Sequence, residues 1–85
     1  MNLAVTSPAT CLLTVRYRNE TGVLAHIFDV LSDTGLHTEE MSSIIFNGAT
    51  AACARIQLDS RPTGGQLDRI RRNDRIVSVG VSDLP

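Results

Sequence analysis

The sequence predicts an α+β domain in which a four-stranded antiparallel sheet carries two helices on one face. Three observations support this prediction. Segments with alternating apolar residues and segments with helical periodicity follow one another in the order β-α-β-β-α-β. An Asn-Gly pair, which tolerates the positive φ angles of a tight hairpin, joins the two middle strands. The length of 85 residues allows one domain with a thin core.

The first half of the chain contains a strand, a turn and the most clearly amphipathic helix. Residues 11–17, CLLTVRY, alternate between an apolar and a mixed face, as expected of a half-buried strand. After the turn at residues 19–22, apolar residues recur at spacings of three and four, which predicts a helix with one core face. These residues are Val23, Leu24, Ile27, Phe28 and Leu31. Gly35 suits the left-handed position that ends a helix.

The second half begins with a hairpin and a weaker helix. Strands are predicted over residues 37–46 and 51–58, on either side of a tight turn at Asn47 and Gly48. A second, less apolar helix is predicted within residues 62–74. Its main apolar residues are Leu67 and Ile70.

A closing strand at residues 75–82 completes the pattern. Its three valines are predicted to share one face: Val77, Val79 and Val81. Two right-handed βαβ crossovers that share a central hairpin produce the ferredoxin-like βαββαβ sandwich. Residues 1–10, in which Pro8 interrupts regular structure, are predicted to be a leader or linker. The domain itself is predicted to cover residues 11–85.

One face of such a sheet has no helices, and a chain of this length has no third layer to cover it. Small residues are predicted to leave that open face poorly shielded: Ala51, Ala52, Ala54 and Gly80. We therefore expect a partner. The first candidate is a second copy that pairs edge to edge or helix to helix about a two-fold axis, and the alternative is a parent enzyme.

The composition argues against nucleic-acid and membrane binding. The formal net charge is −1, and the arginines are interspersed with acids, which is typical of a solvated surface. The aromatic residues Tyr17, Phe28 and Phe46 do not form a base-stacking pair in the middle strands. No apolar run approaches the roughly 20 residues that span a bilayer. Cys11 and Cys53 lack CxxC spacing, so we expect each to be a free thiol that packs as a small hydrophobic side chain. Free thiols of this kind are expected in a reducing compartment, and we therefore expect the protein to be cytoplasmic.

The sequence offers no catalytic group, metal site or cofactor site. His26 and His37 are far apart in the predicted fold and have no carboxylate or cysteine companions at ligand spacing. Glu39 and Glu40 are adjacent in a strand, so their side chains point to opposite faces and cannot share a proton. We therefore expect a domain without catalytic residues of its own.

The turn before the first helix is the remaining candidate for a site. The first N–H groups of a helix have no intrahelical partner, and such a terminus attracts a carboxylate. Gly22 does not obstruct this approach, and the Asn19 amide can serve both the carboxylate and the ammonium of an amino acid. Alternatively, Asn19 shapes the turn and Thr21 caps the helix, and the residues alone slightly favour this second interpretation.

Several short segments of the chain, taken in order, resemble an ACT domain, a small regulatory module of amino-acid-responsive enzymes. The segments are the run from Asn19 to Leu24 (Asn-Glu-Thr-Gly-Val-Leu), then Gly35-Leu36-His37 and Glu40-Met41. More narrowly, residues 11 to about 82 resemble the C-terminal regulatory domain of D-3-phosphoglycerate dehydrogenase, in which a polar residue and a short turn precede Gly-Val-Leu. The leader is similar to the segment that connects such domains to the catalytic body.

The resemblance implies an amino-acid sensor, with L-serine as the expected effector and a dehydrogenase catalytic domain as partner. It places the ligand at a homodimer interface, between the first loop of one subunit and the start of the second strand of its neighbour. Asn19 matches the family's loop asparagine, whereas Tyr17 replaces a histidine, His37 an asparagine, and Thr21 the proline before Gly22.

The site implied by this resemblance combines side chains with backbone groups. Asn19 holds the polar head of the amino acid, and backbone N–H groups around Gly22 and Val23 hold its carboxylate. The remaining residues of the predicted site are Tyr17 and His37 at the rim, with Thr21 and Leu24 in the loop and first helical turn. The alternative is a dimerisation module that binds no effector.

Overall fold

The elements alternate along the chain in the predicted order. The computed structural model describes residues 9–84, so most of the predicted leader, residues 1–8, lies outside the described part of the chain. The strands are β1 (Cys11–Arg18), β2 (Thr38–Phe46), β3 (Ala51–Leu58) and β4 (Ile76–Asp83). The helices are α1 (Val23–Asp33) and α2 (Gly64–Arg71), and a short 3-10 turn spans Asn47–Ala49.

The four strands form one antiparallel sheet in the order β2-β3-β1-β4, which confirms the ferredoxin-like sandwich. β1 and β3 are central neighbours, and β2 and β4 form the edges. Cys11 pairs with Leu58, whereas Cys53 pairs with Arg16. Both cysteines are buried free thiols.

The core lies between the helices and one face of the central strands. Alternate residues of β1 and β3 point toward the helices, where α1 contributes one apolar stripe and α2 contributes Ile70. The largest fully buried side chains are Leu13, Val15, Val23, Ile27, Leu31, Ile56, Leu58 and Ile70. Leu67 packs against this core from a partly buried position, so both predicted contacts of the second helix are confirmed.

The two helices end in different ways at the positions that the sequence indicates. Gly35 has a φ of 77°, and its N–H donates to the Ser32 carbonyl while the Leu36 N–H donates to Leu31, a Schellman arrangement. α2 is shorter than predicted and begins with a reciprocal capping box. The Thr63 side chain accepts from the Gln66 N–H at 3.2 Å, and the Gln66 side chain accepts from the Thr63 N–H at 2.7 Å.

Two local predictions, both about the faces of strands, are wrong. Ala52 and Ala54 face the helices, where they are 2% and 0% exposed, because the register aligns them with Tyr17 and Val15. The open face therefore retains Ala51 and Gly80 as its small apolar residues from the predicted set. Val77 is 68% exposed and does not share a face with the other two valines of β4.

The physical reason for the exposed valine is an irregularity in the pairing of β1 with β4. Arg16 pairs with Ser78, but Tyr17 pairs with Ile76, so Val77 is an extra residue on β4. Such a bulge breaks the alternation of faces. Ile76 consequently packs against the core. The predicted hairpin is confirmed, since Phe46 pairs with Ala51 across residues 47–50, with positive φ at Gly48 and Ala49.

Burial of Tyr17 makes the stability of the fold sensitive to alkaline pH. Desolvation raises the pKa of its phenol above the ordinary value of 10.0. The unfolded chain therefore ionises at a lower pH than the folded one, and this contribution to stability is complete below pH 10.0 and is lost as pH rises through the folded-state pKa. We expect the free energy of unfolding to fall above pH 10.0, and to fall less in Tyr17→Phe. Urea titrations across this range would contradict the assignment if both proteins lost equal stability.

Candidate functional site

A polar cavity lies where the β1–α1 loop meets the connection between α2 and β4. Its volume is about 640 Å³, and we refer to it as the loop cavity. Its lining comes from both segments: Asn19, Glu20, Thr21, Gly22, Val23, Asn73 and Arg75. Four of the seven predicted site residues are therefore brought together here. Leu24 follows them in the first turn of α1 and packs partly against the core.

The N-terminus of α1 opens into the loop cavity without a side-chain cap. Gly22 occupies the N-cap position with a φ of 89°, which is left-handed and which an L side chain rarely adopts. The alternative prediction that Thr21 caps this helix is wrong, because no side chain bonds to its first turn. The intrahelical bond from the His26 N–H to the Gly22 carbonyl, at 2.9 Å, comes one turn into the helix. Of the helix N–H groups before that point, the one on Val23 donates to the Glu20 carbonyl at 3.3 Å, which leaves those of Leu24 and Ala25 to attract an anion.

Asn19 connects the β1–α1 loop to the β2–β3 turn. Its Nδ2 donates to the Ala49 carbonyl at 3.0 Å, and its backbone N–H donates to Thr50 at 3.1 Å. Ala49 has a φ of 76°, a conformation that alanine rarely adopts, and the bonds from Asn19 help to hold it. The Asn19 side chain therefore holds the β2–β3 turn, and neither of these bonds lies within its own turn, residues 19–22. Its Oδ1 takes no part in these bonds, so an acceptor remains beside the cavity.

The charged residues of the loop cavity were missing from the predicted site. Arg75 donates from Nε to Glu20 at 3.1 Å and from Nη1 to Asp74 at 2.6 Å, and these carboxylates raise the pKa of the guanidinium above its usual range. Arg18 lies 3.9 Å from Glu20. Topology is the signal that could have located them. β4 begins where β1 ends, so residues just before β4 must lie beside the β1–α1 loop.

The two predicted rim residues lie elsewhere in the chain. Tyr17 does not line the loop cavity, because strand alternation directs its side chain into the core, where it is 4% exposed. His37 precedes β2 at the opposite end of the sheet, roughly 25 Å from Asn19 at about 3.3 Å per strand residue. There its N–H donates to Asp59 and its Nε2 lies 3.3 Å from Glu39. Within one chain, His37 and the loop cavity are separate.

The remaining candidates for chemistry are dispersed. Among residues 9–84, no group of three or more His, Cys, Asp or Glu side chains is placed to hold a metal ion. His26 is partly buried, and its Nε2 lies 3.1 Å from the Ile70 carbonyl, a contact that joins the two helices. Neither helix in the described part of the chain has the length and apolar content needed to span a bilayer.

The β2 edge of the sheet is apolar. This strand ends at the same end of the sheet as the loop cavity. Large side chains on both of its faces are exposed: Met41 (37%), Ile44 (49%), Ile45 (57%) and Phe46 (46%). The helices do not cover this strand, although an unpaired and apolar edge invites pairing with another strand. On β4, the other edge, Val77 is the one large apolar residue among those described that is exposed. The two edges therefore differ in their capacity to bind a partner.

Comparison with solved structures places this fold in a definite class. No protein-family model matches the sequence, and a search of curated proteins finds no significant match. By structure, the chain resembles a formyltetrahydrofolate deformylase from Pseudomonas putida KT2440, with a TM-score of 0.70 and 13% identity over 89% of this chain and 29% of that chain. The architecture is thus a ferredoxin-like fold, which in that deformylase makes up part of a longer chain.

Two further similarities specify the fold as ACT-type. An ACT domain protein from Streptococcus pneumoniae aligns with a TM-score of 0.63 and 11% identity, over 88% of this chain and 89% of that one. The regulatory subunit of aspartate kinase from Thermus thermophilus aligns with a TM-score of 0.65 and 10% identity, over 87% of this chain and 50% of that one. The chain spans half or less of the kinase subunit and of the deformylase. Identities this low establish the shared fold alone.

Proposed function

We propose that this chain is a dimeric regulatory module that binds a small amino acid where two copies meet. The observation that carries this proposal is that the exposed β2 strand ends at the same end of the sheet as the loop cavity. Asn19 bonds to Ala49, in the turn that directly follows β2, so the cavity and the edge belong to one end of the sheet. A partner that pairs with β2 therefore reaches this same end of the sheet.

A two-fold axis beside β2 would assemble the rest of the predicted site. When two β2 strands pair antiparallel, the start of one strand lies opposite the end of the other. His37 of the partner subunit would then flank the Asn47–Ala49 turn of the first copy, the turn to which Asn19 bonds. The separation of His37 from the loop cavity within one chain is the arrangement that such a dimer requires.

The loop cavity offers complementary groups to both ends of an amino acid. The uncapped N-terminus of α1 and the Nη2 atom of Arg75, which the bonds to Glu20 and Asp74 do not use, can donate to the carboxylate. Glu20 and the Oδ1 of Asn19 can accept from the ammonium. Arg75 and Glu20 therefore join Asn19, Gly22 and Val23 in the proposed site.

The resemblance of the loop sequence supports L-serine as the first effector to test. It also supports a D-3-phosphoglycerate dehydrogenase-like enzyme as the parent activity. A ligand of about seven heavy atoms at about −1 kcal/mol per atom reaches micromolar affinity at best. An effector that bridges two copies stiffens the interface and biases the orientation of attached domains, which is how a weak ligand slows a distant active site.

Calorimetric titration of the chain with L-serine and other small amino acids tests this function. We expect a saturable heat, weakened about tenfold by Arg75→Gln, because the carboxylate loses a charged donor. Asn19→Ala should also weaken binding. Arg72→Gln is the matched control, because Arg72 lines a different groove, on the outer surface of the helices. Equal weakening by Arg72→Gln would show that overall charge, and not the loop cavity, controls binding.

A second function, dimerisation without an effector, has its own supporting observations. The Asn19 Nδ2 already bonds to Ala49, and Arg75 and Glu20 already satisfy each other at 3.1 Å. If no amino acid produces heat while the chain remains dimeric, the module holds subunits together and does not sense a ligand.

A further inference from the structure

A second concavity lies on the open face of the sheet, away from the helices. Its volume is about 420 Å³, within the range of small-molecule sites. The register places it across all four strands: Phe46 comes from β2, Ala51 and Ala52 from β3, Arg16 and Tyr17 from β1, and Val77 from β4. We call it the open-face trough.

The trough owes its shape to two exposed apolar side chains on opposite edges of the sheet. Phe46 is 46% exposed, and it shares a face with Arg16 and Ala51 by strand alternation. The bulge in β4 releases Val77 from the core face and leaves it 68% exposed at the other side. Ala51 lies between these two edges, and its small side chain leaves space above the sheet. Without the bulge, the wall on the β4 side would be absent.

The only charged side chain among the described residues that line the trough is a cation, Arg16. Arg16 is exposed, and among residues 9–84 its guanidinium makes no ion pair or side-chain hydrogen bond. The described residues that line the trough include no carboxylate. The trough thus combines apolar walls with one unpaired cation.

We propose that the open-face trough binds a small carboxylate with an aryl or branched apolar body. The carboxylate pairs with the guanidinium of Arg16, whose planar donors match two oxygens, and the apolar body lies between Phe46 and Val77. Charge complementarity and the size of the concavity favour this occupant. The proposal does not depend on the amino-acid site in the loop cavity, which is polar and involves different residues.

Titration of the ¹⁵N-labelled full chain with phenylacetate, followed by amide chemical shifts, tests the proposal. We expect saturable shifts at Arg16, Phe46, Ala51 and Val77. The expected Kd is about 1 mM for a ligand of about ten heavy atoms in an open site. Arg16→Gln should raise the Kd about fivefold, since an exposed ion pair is lost. Phenylacetamide, which has the same shape without the charge, should show a similar loss of affinity.

Matched variants separate this site from the loop cavity. Arg75→Gln removes a cation from the loop cavity and should leave phenylacetate binding unchanged. The proposal is overturned if phenylacetamide binds as well as phenylacetate, if Arg16→Gln binds normally, or if the shifts concentrate around Asn19 and Arg75. Shifts in the trough that appear on concentrating the protein without ligand, and that phenylacetate does not alter, would identify a second copy as the occupant and overturn it as well.

Discussion

Replacing Ile56 with alanine is expected to lower the free energy of unfolding by about 3 kcal/mol. Ile56 is 0% exposed in the central strand β3 and lies opposite Leu13, which is equally buried. The substitution removes buried apolar surface and leaves a cavity that flanking strands cannot close. For a domain of this size, the melting temperature should fall by about 12–24 °C. Thermal and urea unfolding followed by circular dichroism measure the effect.

Ile44→Ala is the matched control for this core substitution. Ile44 also belongs to a strand, but it is 49% exposed at the β2 edge, so its truncation should cost less than about 1 kcal/mol. The comparison must be made at concentrations where the chain is monomeric, because a dimer would bury this edge. Equal losses for the two variants would contradict the assignment of the core to the helix-covered face.

The elements that could be predicted from sequence are those whose residues carry a clear period. β1 alternates large apolar and polar residues, and α1 repeats apolar residues at three and four, so burial of Leu13 and Ile27 followed directly. The buried face of β3 was harder to predict, because the first half of this strand consists of small residues that suit either face. Ile56 and Leu58 are the large apolar residues that mark the buried face. Because side chains alternate along a strand, Ala54 and Ala52 must face the helices with them.

The features that could not be predicted depend on contacts between distant strands. Nothing in the segment Ile76–Asp83 marks the bulge that exposes Val77, because the irregularity exists only in its pairing with β1. The loop cavity shows the same limit. Asn19 and Gly22 carry local signals of a turn, whereas Arg75 reaches the cavity only through the fold. Local sequence patterns therefore predicted the residues of the β1–α1 loop, whereas Asn73 and Arg75 could be located only from the topology.

Replacing Ile45 with lysine is expected to weaken dimerisation at least about 100-fold while the domain stays folded. Ile45 is 57% exposed near the end of β2, so a charged side chain there costs the monomer little. Paired β2 strands would bring it against apolar partner residues, where an unpaired ammonium is costly to desolvate. Sedimentation velocity over a dilution series measures the shift from dimer to monomer.

The matched control for the edge is Val77→Lys, which places the same charge on β4. Val77 is 68% exposed, so its substitution should leave both the fold and a β2-mediated dimer unchanged. The reverse result, a monomer for Val77→Lys and a dimer for Ile45→Lys, would move the interface to β4. Because the proposed amino-acid site needs His37 of the partner subunit, Ile45→Lys should also lose the heat of amino-acid binding. A monomeric Ile45→Lys variant that still bound the amino acid with full affinity would show that the loop cavity is complete within one chain.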